Sequence, residues 1–251
     1  MGFIFRFAGL ALVSSMATSV CHSEVLGTFE GRVTGGYERG ARAPARMVTG
    51  DLVIGCFRYL PEDAEIGYRP DRNGIWQYRF SDVPPRSVFA ISIGSLVWRS
   101  GEIFTISVAN DKKLFGDRIP RIGDALIFWY GLHPRYQAVP PLHPGVPPGG
   151  LGHAWLIFKA YGPHQNFLRS EQLPDGFEAL DFTGVDRKSG TIGAGDGTNH
   201  WAVRFQLDPQ SVVINGRPAL PGAVPPETAD EAAGLCSEAV VSDASEATET
   251  R

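Results

Sequence analysis

The sequence predicts an all-β protein, an antiparallel β-sandwich or jelly-roll-like fold. Three observations carry this. Apolar and polar residues alternate with period two through most of the chain. The alternating runs are dominated by β-branched and aromatic residues, which suit a pleated, half-buried surface. Turn signals such as Thr34-Gly35-Gly36, Arg72-Asn73-Gly74 and Asp196-Gly197 separate them, and no amphipathic pattern exceeds two helical turns. Many short strands divided by turns suggest two packed antiparallel sheets.

The elements follow in order. Residues 1–23 read as a secretory signal peptide: Arg6 precedes an apolar run from Phe7 to Val13, and small residues follow. Cleavage fits after Ser19 or Ser23. The run is too short to span a bilayer, and no later segment is a transmembrane candidate. Cys21 raises lipidation as an alternative, but Val20 precedes it where a small residue is usual. Residues 24–216 carry the β domain. In it Phe29–Val33 alternates, and Leu52–Leu60 is apolar on both parities, with Cys56 on the Leu52 and Ile54 side. Trp76, Tyr78 and Phe80 share a face, as do Phe89, Ile91, Ile93 and Val97, then Phe104, Ile106 and Val108, and later Trp201, Val203, Phe205 and Leu207. Ala125–Tyr130 and Ala154–Tyr161 are more uniformly apolar and predict central strands. The string Gly193–Gly197 reads as a hairpin loop.

Two stretches break the pattern. Residues 133–152 contain six prolines and four glycines and read as one long loop within a single domain. Residues 217–251 are rich in Pro, Ala and acids and almost free of aromatics, so they are expected to be a disordered tail, dispensable for folding.

Composition narrows function. A hydrophobic fraction of 43% supplies a core, and 30 glycines with 19 prolines fit a turn-rich chain. The net charge of −4 divides into −6 from Glu227 onward and +2 elsewhere. Neither part has the basic footprint of nucleic-acid binding. Nucleophile elbow, zinc-helix, phosphate-loop and paired Cys-x-x-Cys signatures are absent. The histidines do not pair at metal-ligand spacing.

The remaining candidates rest on chemistry. Asp111, Asp117 and Asp124 flank one inter-strand loop, where carboxylates and carbonyls could hold calcium, although Lys112, Lys113, Arg118 and Arg121 offset their charge. Of five tryptophans, four fall in runs that need core filling. Trp98, at a strand end beside Arg99, is the expected exposed platform for stacking a sugar ring. Carboxylate pairs for glycoside hydrolysis cannot be assigned without spatial separation. Cys56 and Cys236 could pair in an oxidising compartment if Leu235 and Cys236 form a helical turn over the sheet; the alternative is two free thiols.

The mature chain resembles exported bacterial proteins of the PEP-CTERM-associated type. The resemblance lies in Gly27-Thr-Phe-Glu-Gly31-Arg-Val-Thr-Gly35, in Thr49-Gly50-Asp51-Leu-Val-Ile-Gly55-Cys-Phe-Arg-Tyr59, in Ile106–Asp111, and in Leu173-Pro174 before Leu180-Asp-Phe182. It implies a β-sandwich outside the cytoplasmic membrane and carries no catalytic residues. The C-terminal Pro-Glu-Pro motif, apolar helix and basic cluster of that type are missing here. The resulting expectation is an exported, periplasmic or extracellular non-catalytic module that binds a glycan or another envelope component. The alternatives are a polysaccharide hydrolase or lyase on the same fold, using acids such as Glu62 or Asp111, and a structural surface protein.

Overall fold

A computed structural model describes residues 24–40, 47–68, 74–81, 86–94, 96–100, 104–114, 121–131, 151–162, 166–195 and 199–237. The predicted signal peptide, Asp117, and all of the predicted 133–152 loop except Leu151 and Gly152, which begin a strand, lie outside them.

The strands are β1 (Val25–Arg39), β2 (Leu52–Tyr59), β3 (Glu65–Tyr68), β4 (Trp76–Phe80), β5 (Val88–Ile93), β6 (Leu96–Arg99), β7 (Phe104–Leu114), β8 (Arg121–Gly131), β9 (Leu151–Tyr161), β10 (Arg187–Gly195), β11 (His200–Leu207), β12 (Val213–Ile214) and β13 (Arg217–Pro218). One helix, α1 (Ala229–Ser237), follows. The all-β antiparallel class holds: each pair of adjacent strands is antiparallel. The strands form one continuous hydrogen-bonded path, β3-β4-β7-β8-β9-β10-β11-β1-β2-β5-β6, with β12 and β13 attached beside β1. The 15-residue β1 joins the two wings, its first half paired with β2 and its second with β11.

The sheet curls so that the β2-β5-β6 wing lies over the middle strands. Phe128 of β8 meets Phe57 of β2 at 4.2 Å between ring centroids and Phe89 of β5 at 6.4 Å. Tyr59 of β2 lies 5.9 Å from Phe80 of β4, and Trp98 of β6 lies 5.7 Å from Trp201 of β11. Glycines admit the larger rings. A Cβ at Gly55 would fall 2.3 Å from the ring of Phe29, its cross-strand partner, and one at Gly27 would fall 2.0 Å from that of Phe57. The segment 166–186 closes one end of the core. Its Phe167 and Phe182 pack on Phe158, and the Tyr59 hydroxyl donates to the Pro174 carbonyl at 2.8 Å.

Several expectations change. Phe89, Ile91, Ile93 and Val97 do not share a face. The chain turns at Gly94, whose φ is 58°, and Val97 pairs with Ser92 on the far side of a β5–β6 hairpin, 38% exposed. The same turn sets Trp98 opposite Ile91, so it points into the core at 2% exposure. Trp98 is therefore a core residue and offers no platform.

The 217–251 tail is not disordered as far as Ser237. Arg217–Pro218 forms β13 after an Asn215-Gly216 turn, with Asn215 at φ 49°; its side chain accepts from the Leu26 amide and donates to the Glu24 carbonyl. Helix α1 packs on β1, β2 and β5, and Cys236 is disulfide-bonded to Cys56 across 6.1 Å between Cα atoms. Low aromatic content was a poor guide because a covalent bridge supplies what apolar burial does not. Cys56 does not face the main core. That side of β2 carries Val53, Phe57 and Tyr59, while Cys56 lies on the opposite face, buried with Val88, Ala90 and Cys236 beneath α1.

Candidate functional site

Each strand has an inner face in the main core and an outer face opposite it. On β1, β2 and β5 the outer face is covered by α1. On β7 to β11 it carries a groove of about 520 Å³. Its lining includes Trp129, His153, Trp155, Thr191, Arg204 and Tyr37.

The register explains the groove. Trp129 pairs with Trp155, Trp155 with Thr191, and Thr191 with Arg204. These four residues thus form one transverse row over β8, β9, β10 and β11. The neighbouring row runs from His153 to Gly193, Ala202 and Tyr37. In the first row Trp129 and Trp155 on one side and Arg204 on the other flank Thr191, and in the second His153 and Tyr37 flank Gly193 and Ala202. The floor is low because β10 and β11 contribute Thr191, Gly193 and Ala202. A Cβ at Gly193 would come 2.7 Å from the His153 ring, which lies over that glycine. Trp155 is 38% exposed and Tyr37 45%, so both aromatic walls meet solvent.

Polar groups sit at the Tyr37 end. The Arg204 guanidinium lies 5.9 Å from the Tyr37 ring centroid, and His200 packs edge-on against the same ring at 5.1 Å. Burial first, and then His200, lowers the His153 pKa below its ordinary 6.5, so His153 is neutral at neutral pH. Among the described residues that line the groove, none is Asp or Glu. The surface can stack apolar ring faces on indole and phenol and offer hydrogen-bond donors beside them.

The residues singled out from sequence fall elsewhere. Trp98 is in the core. Asp111 and Asp124 come together, but as structure. The Asp124 carboxylate is buried and accepts the Asp111 amide at 2.9 Å and the Leu168 amide at 3.0 Å. It fixes a β7 bulge, where Asp111 has φ 52°, and ties down the 166–186 segment. Burial raises its pKa above the usual carboxylate range. No group of three His, Cys, Asp or Glu able to hold a metal occurs among the described residues. Glu62 lies in a short 3-10 turn away from the groove. Trp76 is held at the surface of β4 by its Nε1 donating to Glu171 at 2.8 Å, and Glu171 also pairs with Lys112. No helix among the described residues is long and apolar enough to cross a membrane.

Sequence reasoning missed Tyr37, His153, Trp155 and Arg204 as a group. The available signal was the parity of Trp155. It is out of step with Leu156 and Phe158, which share one face with Ala154.

The sequence matches no family model, no curated protein and no solved structure.

Proposed function

We propose that the protein is an exported, non-catalytic binding module whose outer sheet face holds a polysaccharide segment. The observation that carries this is the transverse row Trp129, Trp155, Thr191 and Arg204 lining the outer groove, with Trp155 and Arg204 exposed and Tyr37 beside them. Exposed aromatic residues framing a low trough are costly to leave in water and suit the apolar faces of sugar rings. Hydroxyl, imidazole and guanidinium groups beside them suit ring hydroxyls. The lack of a carboxylate among the described lining residues supports binding over acid–base hydrolysis. Export is supported by the leader-like N-terminal sequence and by the Cys56–Cys236 bridge, since disulfides persist in oxidising compartments.

The test is a titration of the mature protein with a panel of neutral and acidic oligosaccharides, followed by tryptophan fluorescence and calorimetry. At least one sugar is expected to bind and to perturb the emission. Trp155→Ala should weaken it about tenfold or more, in line with the loss of one stacked ring, while leaving the thermal transition of this half-exposed position nearly in place. Chain length of the bound polymer, followed by size-exclusion chromatography, should not change. Binding unaffected by Trp155→Ala would overturn the assignment of the site, and shortening of the polymer would overturn its non-catalytic character.

A further inference from the structure

Resting on that reading, we infer that the groove selects acidic saccharides, with Arg204 receiving the carboxylate of a uronate unit while a neighbouring ring stacks on Trp155.

The first argument is the state of Arg204. Its side chain is exposed, and its described contact is the Tyr37 ring rather than an acid. Ion pairs among the described residues include Arg86–Asp63, Lys112–Glu171 and Arg217–Glu178, and none of these three involves Arg204. A guanidinium lying on an aromatic face keeps its planar donor edge free, and that edge matches a carboxylate in a bidentate arrangement. Tyr37 thus holds the cation in place without neutralising it.

The second argument is charge complementarity. The groove has one full positive charge, two histidines beside it and no acid among its described lining residues. Outside the acidic segment from Glu227 onward the chain carries only +2, too little for a strong general attraction for anions. Any preference for an acidic ligand has to arise locally, at this cation.

The third argument is spacing. Arg204 and Trp155 stand in one row with Thr191 between them. They are two strand spacings apart, about 10 Å at the usual separation of adjacent strands. A short oligosaccharide lying along the row can therefore rest one ring on Trp155 while a substituent on a nearby ring reaches Arg204. The Thr191 hydroxyl lies between the two.

The experiment uses matched ligands: oligomers of galacturonate, glucuronate and mannuronate, each alongside its carboxyl-reduced neutral counterpart. Wild-type protein should bind at least one acidic oligomer about tenfold or more tightly than its reduced partner, as expected for a charge-assisted hydrogen-bonded contact. Added salt should narrow that gap. Arg204→Gln should close the gap, bringing the affinity for the acidic oligomer down to that of its reduced counterpart measured on the same variant. Arg204→Lys, which retains the charge but not the fork, should fall between them. Arg204 is solvent-exposed, and unchanged circular dichroism and melting of the variants confirm that folding is intact. Equal affinity for acidic and reduced oligomers, or a gap that survives Arg204→Gln, overturns the inference and leaves the polysaccharide reading standing. Binding to none of these oligomers or to any neutral sugar overturns both.

Discussion

At the scale of single residues, the outer face shows how small side chains make a site and how burial sets its chemistry. Gly193 makes room for the His153 ring over β10, and the price is partial desolvation of an imidazole. Its folded pKa is lowered, so the fold favours neutral His153. That contribution to stability is fully present above the unfolded value of 6.5 and is lost as pH falls through it towards the folded value. We expect the urea midpoint of wild type to drop between pH 7 and pH 5, and His153→Gln to drop by less over the same interval. Denaturation curves at matched ionic strength check this; parallel pH profiles for the two proteins would contradict it. Asp124 illustrates the opposite use of a buried polar group. Both oxygens accept backbone amides, which makes it a structural brace, and the same carboxylate read as a metal ligand when only its neighbours in sequence were known.

At the scale of elements, strands that line the core on one face were legible by period two. β2, β4, β7, β8, β9 and β11 stand close to where alternation or apolar runs put them, because burying one face selects that pattern. β10 was not legible as a strand. Gly193–Gly197 reads as a hairpin loop, yet residues 193–195 complete this strand, with Gly190 needed beneath Phe205 and Gly193 beneath His153. The residues that form the floor of the groove are the ones that hide the strand. β6 was merged with β5 because alternation continues through the Gly94 turn, and that error made Trp98 look like a strand end. Helix α1 was only half legible. Its nine residues are too few to be stable alone, and the bridge and its packing on β2 hold it in place. The bridge closes a loop with a sequence separation of 180. The chain-entropy relation assigns such a loop about 4–5 kcal/mol, an upper figure since measured values often fall short. Cys236→Ser should lower the denaturant midpoint clearly, and reduced wild type should match the variant. Coincident curves for oxidised wild type and Cys236→Ser would show that the bridge contributes nothing.

At the scale of the whole molecule, the topology makes β1 the keystone. Strands β7 to β11 form a meander of sequential neighbours, and β5 and β6 a local hairpin, but among the described strands the two wings are hydrogen-bonded to each other only through β1. Its pairing with β11 sets Gly31 against Leu207 and Arg39 against His200, nearly the full length of the domain apart in sequence. The curl, the core and the Tyr37 wall of the groove all depend on that late pairing. The inner face of β11 adds Trp201, Val203, Phe205 and Leu207 to the core. Burying a residue such as Val, Phe or Leu is worth about 1.5–3 kcal/mol, so together these side chains rival the roughly 5–15 kcal/mol by which a domain is stable. A chain ending at Gly195 should therefore retain no cooperative unfolding transition, even though ten of the thirteen strands are present in it. Full-length protein should refold in milliseconds to seconds, in the range of other folds dominated by distant contacts. Calorimetry of the shortened chain decides the first point. A sharp transition there would mean that the β7–β10 meander folds by itself and that β1 is recruited afterwards, which would move the keystone from β1 to β8 and Phe128.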